Sequence, residues 1–221
     1  MRIMVTKTYG SIKMKKIFSV AVITVLSVIF ASCGFVRSSE TPMEKIQQTL
    51  NSMEGYYCTA DLTRFSKDSE KKFGIKQYYK MSGEYRMEMT SPDDVAGNYT
   101  VYDGKTVCQY NPRVEGKIIK DVPENKARNE LFLGCFIKNY MQSEEVSIAV
   151  SKTDESRCTV LEAVIPGENK FTSTEKLWID NETITPVKLV IYDSEGKEKY
   201  VVEYNEFQFN PDFEDGIFNI N

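Results

Sequence analysis

The chain has no histidine among its 221 residues, so the side chains left to do chemistry are cysteines and carboxylates. This removes Ser-His-Asp and Cys-His nucleophilic catalysis, and imidazole ligation of zinc with them. Cys58, Cys108, Cys135 and Cys158 supply the four thiolates that a cysteine-only zinc site would need, but no two of them have the close spacing of a zinc knuckle. They read instead as small buried core residues, or as one or two disulfides that export would permit. Two carboxylates facing across a cleft could hydrolyse a glycan. The candidates Asp93-Asp94, Glu144-Glu145 and Asp212 with Glu214-Asp215 fall in loops or after the last strand-like segment, where acids are ordinarily solvated surface. No metal or cofactor is expected, and no catalysis.

The fifth cysteine, Cys33, is placed differently. Residues 17–31 carry no charge, and Lys13, Lys15 and Lys16 precede them. A membrane-spanning helix needs roughly 20 apolar residues, whereas the core of an export signal needs about 7 to 15. The small residues Ala31 and Ser32 then lead directly into Cys33. This arrangement resembles a bacterial lipobox, in which the cysteine thiol is diacylated and becomes the new N-terminus. The organisation expected is a lipoprotein signal over residues 1–32, a lipidated tether over 33–40 and one β-rich domain over 41–221. Met14 opens a signal of more ordinary length, which would make residues 1–13 an upstream-start extension.

Residues 1–32 hold five basic side chains and no acid, so residues 33–221 keep 23 basic and 32 acidic groups, a net charge of about −9. That balance repels phosphate backbones and anionic headgroups, which argues against nucleic acid as a partner. Membrane attachment would come from the acyl chains and not from a basic patch.

The elements that must position any site begin with a helix in "TPMEKIQQTLNSMEG". Thr41 can cap it, Pro42 suits its first turn, and Glu44 completes a capping box. Met43, Ile46, Leu50 and Met53 form one apolar stripe, so this helix should lie on a sheet. From Tyr56 the period becomes two: Tyr56, Cys58, Ala60 and Leu62 share one strand face. "FGIKQYYKM", "EYRMEMTS", "NYTVYDGKTVCQY" and "EGKIIKDV" continue the series, with Asp103-Gly104 predicting a tight primed turn. "ENKARNELFLGCFIKNYMQSEE" predicts a helix of about fifteen residues. "VSIAVSK", "RCTVLEAVI", "FTSTEKLWID", "PVKLVIYD" and "EKYVVEYNEFQF" complete ten or eleven strands. Short connections favour antiparallel neighbours, and so many strands must curl, with the helices in the concavity. The late strand "KYVVEYNEFQF" is a candidate sheet edge, through which a homodimer or a heterocomplex could form.

This order of elements resembles the LolA/LolB-like lipoprotein-carrier fold, a mainly β half-open barrel of one curved antiparallel sheet with helices covering it. The likeness runs over roughly residues 40–220. It is carried by "DGKTVCQYNPRVE" at 103–115 and by "LWIDNETITPVKLVIYDSEG", a strand pair ending in an Asp-x-x-Gly turn. In the carriers an arginine before the second hairpin turn holds the helical lid. Here that place reads Lys80-Met81-Ser82, and Arg86 stands elsewhere in the strand.

Among LolA-like proteins, the lipid anchor, acidity and strand-rich pattern are most similar to the germination lipoprotein GerS family of spore-forming clostridia. That resemblance implies a non-catalytic, extracytoplasmic protein on the forespore or spore membrane. It would bind and activate a zinc-dependent N-acetylmuramoyl-L-alanine amidase of the CwlD type during spore cortex modification. The alternative reading is a lipid or lipoprotein carrier holding acyl chains in the half-barrel, which predicts an apolar cavity. A weaker third reading, a carboxylate enzyme, requires two acids about 5 to 10 Å apart in a groove.

Overall fold

A computed structural model describes residues 40–123, 129–143, 147–152, 157–167 and 169–220, and residues 40–221 form one compact unit. Helix α1, Pro42–Asn51, starts at the expected capping box: Glu44 N–H donates to Thr41 Oγ1 at 3.2 Å, and Thr41 N–H donates to Glu44 Oε2 at 2.7 Å. Its stripe is inward, with Ile46 and Leu50 buried.

The strands are β1 Gly55–Phe65, β2 Glu70–Lys80, β3 Tyr85–Ser91, β4 Tyr99–Tyr102, β5 Thr106–Asn111 and β6 Gly116–Asp121, followed by helix α2, Leu133–Gln142. Then come β7 Ser147–Lys152, β8 Arg157–Val164, β9 Thr174–Asp180, β10 Pro186–Tyr192 and β11 Glu198–Phe209. They form one open antiparallel sheet of 11 strands in the order β6-β5-β4-β3-β2-β1-β11-β10-β9-β8-β7. Two meanders are thus joined through β1 and β11, and the chain passes through α2 from one sheet edge to the other.

That topology corrects one expectation. The strand holding "KYVVEYNEFQF" is β11, and it lies mid-sheet, paired with both β1 and β10. The edges are β6 and β7. Asn210, just beyond β11, closes the seam: its Oδ1 accepts from Glu54 N–H at 2.7 Å, and its own N–H donates to Gly55 O at 2.8 Å.

Two further details differ from expectation. The connection from β4 to β5 is a three-residue loop, 103–105, in which only Gly104 takes a positive φ, of 96°. Asp103 contributes its side chain instead, with Oδ1 accepting from the N–H groups of Lys105 and Thr106. Helix α2 has ten residues, and Leu131 and Phe132 precede it in non-helical backbone.

The alternation of β1 sends Tyr56, Cys58, Ala60 and Leu62 into the main core with both helices. The opposite face of β2 to β5 has a smaller cluster, where Phe213 and Phe218 from the tail after β11 cover Val101 and Cys108.

Candidate functional site

Strand register places Tyr85, Met87 and Met89 of β3 on the face shared with Tyr79, Gln77 and Ile75 of β2. The same face continues through Thr100 of β4 and Gln109 of β5 to Ile118 of β6. Two hollows occupy this part of the inner face. The larger, about 1160 Å³, lies between these strands, the end of β1 and the segment leading into α2. The smaller, about 450 Å³, reaches toward the turns at 91–98 and 111–116. Both are lined by Met87, Thr100, Gln109 and Ile118, so they make one continuous groove.

The groove stops where α2 is seated on the sheet. Tyr56 O–H donates to Gln77 Oε1 at 2.8 Å, and Leu133 N–H donates to Tyr56 Oη at 3.0 Å. Gln77 Nε2 donates to Leu131 O at 3.0 Å, which completes a buried link from two strands to the start of the helix. Gly134 lies against the Tyr79 ring so closely that a Cβ there would overlap it. The Phe132 ring packs 4.7 Å from that of Tyr85 and 5.5 Å from that of Tyr79, between ring centroids. Near the other end of α2, Asn139 Nδ2 donates to Glu175 Oε1 at 2.7 Å. Glu175 is wholly buried, and burial pushes its carboxyl up to about 7; the Asn139 bond acts in the opposite sense, and Glu130 adds to the rise. Its second oxygen has no hydrogen-bond partner among the described residues.

Arg86 is no part of this seat. It faces the other side of the sheet, with its guanidinium carbon 4.2 Å from the Tyr99 ring centroid and Nε donating to Glu88 Oε1 at 2.6 Å. The start of α2 is therefore held by a tyrosine–glutamine link and not by Arg86. Sequence reasoning missed Gln77 and Glu175. Both occupy inward positions of alternating strands, the one signal that could have found them.

Cys33 and Glu144-Glu145 lie outside the described residues. Cys58, Cys108 and Cys158 are buried, Cys135 is partly so, and all four are free thiols. Burial pushes Cys58 far above the usual thiol range and Cys135 up to about 12, so neither is a thiolate at neutral pH. Among the described residues no group of three histidine, cysteine or carboxylate side chains is placed to hold a metal. Asp93, Asp94, Asp212, Glu214 and Asp215 are exposed. Trp178 sits half-buried on the face opposite Leu177 and Ile179, with Lys188 Nζ 4.5 Å from its ring. No helix among the described residues is long and apolar enough to cross a membrane.

Comparison with solved structures returns the same architecture. An uncharacterized conserved protein from Thermus thermophilus is similar with a TM-score of 0.52 and 14% identity, over 81% of this chain and 93% of that one. The structure of the CwlD amidase from Clostridioides difficile in complex with the GerS lipoprotein matches with a TM-score of 0.48 and 28% identity, over 80% of this chain and 100% of that one. A LolA superfamily protein from Nitrosomonas europaea matches with a TM-score of 0.43 and 13% identity, over 82% and 99%. No curated protein matches the sequence. The YdcC-like sporulation protein family matches residues 13–218, nearly the whole chain, and the protein belongs to that family.

Proposed function

We propose that this protein is a non-catalytic, lipid-anchored partner that binds and activates a spore cortex N-acetylmuramoyl-L-alanine amidase of the CwlD type on the extracytoplasmic face of the membrane. The sporulation family gives the process. The likeness of its lipobox-like segment, acidity and strand-rich pattern to the GerS group supports the choice of partner. Cys33 is the acylated anchor.

The observation that carries the reading is chemical. The chain has no histidine, which removes imidazole-based catalysis and zinc ligation, and burial holds the Cys58 and Cys135 thiols protonated. Titration of the protein into a purified amidase, reading zinc content and release of stem peptide from cortex glycan together, tests this. A rise in both at one-to-one stoichiometry supports it, and an amidase equally active and metal-loaded alone refutes it.

The groove favours one competing reading, that of an acyl carrier. Its volume would admit a hydrocarbon chain. Thr100 and Gln109 stand in the middle of its floor, however, and hydrocarbon laid over them leaves their polar atoms unpaired. Partner binding is the better fit.

A further inference from the structure

We infer that the groove beside β6 is a docking site for an extended acidic segment of a partner protein, which adds to the sheet as a twelfth strand. This rests on the reading of the chain as a partner-binding protein and gives that reading a surface.

Three observations converge on it. Among the described residues β6 pairs with β5 alone, so the ladder ends there. A strand at a sheet end presents a row of backbone donors and acceptors to any chain laid beside it, with little regard to side chains. Next, the apolar side chains here are uncovered: Val114 is 72% exposed, Ile118 68% and Ile119 54%. An isolated exposed aliphatic residue needs no explanation, but Val114 and Ile118 both line the smaller hollow and make an apolar patch at its rim, while Ile119 points to the other face of the sheet.

The third observation is charge. The larger hollow is lined by Arg64, Lys67, Lys120 and Lys199 against one acid, Glu130, and Lys117 lines the smaller. The chain as a whole carries a net charge of −4, so this basic lining is a local reversal. It selects an acidic occupant and disfavours a second copy of this chain, which would bring the same lysines to the junction.

The groove suits a strand better than other acidic chains. An added strand sends every second side chain toward the inner face, where Ile118 and Lys120 already point, and can set an apolar side chain against Ile118 and an acid against Lys120.

The test uses the purified full chain and a capped peptide, as long as β6, that alternates glutamate with valine. Hydrogen exchange at the β6 amides and fluorescence anisotropy of the labelled peptide are read together. Binding that slows exchange at residues 117–121, and that weakens roughly tenfold for the lysine–valine peptide or for the Lys117→Glu/Lys120→Glu variant, is expected. Absence of binding, or binding that leaves β6 exchange unchanged, overturns the proposal. So does protection by palmitoyl lysophosphatidylglycerol where the peptide gives none, or protection that grows with protein concentration alone. The amidase is assayed in parallel. If the variant still captures it, the surface is wrong and the partner reading stands; if the peptide binds and the amidase never does, the reverse holds.

Discussion

Asn139 on α2 and Glu175 on β9 meet at 2.7 Å although 36 residues separate them, and among the described residues no cation acts on the carboxyl they bury. The titratable groups facing it are Glu130 before the helix, Cys135 on the helix and Tyr204 on β11. None carries a compensating positive charge. The first prediction follows from this pair. The native carboxyl titrates at about 7, against an ordinary value of 4.5. Between those values the unfolded chain releases a proton that the folded chain keeps, so stability falls as pH rises from about 4.5 to about 7 and then levels. The full loss is about 3 kcal/mol. Urea denaturation at pH 5 and pH 8 should show this fall, and Glu175→Gln should remove it while gaining stability at pH 8. An unchanged pH profile in the variant would contradict the account.

Gln77 joins β1, β2 and the start of α2 by accepting from Tyr56 and donating to Leu131 O. Gln77→Leu keeps the volume but leaves the Leu131 carbonyl without that donor and the Tyr56 hydroxyl without that acceptor. A loss of about 2–3 kcal/mol is expected by chemical denaturation, with faster amide exchange in α2 than in β10.

Gly134→Ala tests the closeness of the helix to the sheet. Alanine is the better helix former by about 1 kcal/mol, so an open site would be stabilised. Here the added methyl meets the Tyr79 ring, and a net loss of about 1–3 kcal/mol is expected. A Tyr79→Leu background should recover part of it.

Cys33→Ser should release the protein from membranes without changing its fold. Fractionation of producing cells, with circular dichroism of the released protein, reads both. A variant still in the membrane fraction after its signal is removed would end the anchor claim.

Short-range features were legible because a few adjacent residues decide them. The Thr41–Glu44 capping box, the inward alternation from Tyr56 to Leu62 and the positive φ at Gly104 all formed as local chemistry dictates. The pairing of β1 with β11 was not legible, since its partners lie about 150 residues apart and short connections reveal neighbours only within each meander. The same blindness made β11 a candidate edge when it lies mid-sheet. Gln77 and Glu175 escaped for another reason: a polar residue in a strand reads as outward, and only the buried partner at α2 shows why it is not.

The central claim is a direct partnership with an amidase, and native mass spectrometry of residues 34–221, alone and mixed with the purified CwlD-type enzyme, tests it most directly. The account predicts a stable heterocomplex free of co-purified lipid. A lipid-bearing monomer that ignores the amidase would contradict it, and would mean that the half-barrel holds acyl chains as the carriers do.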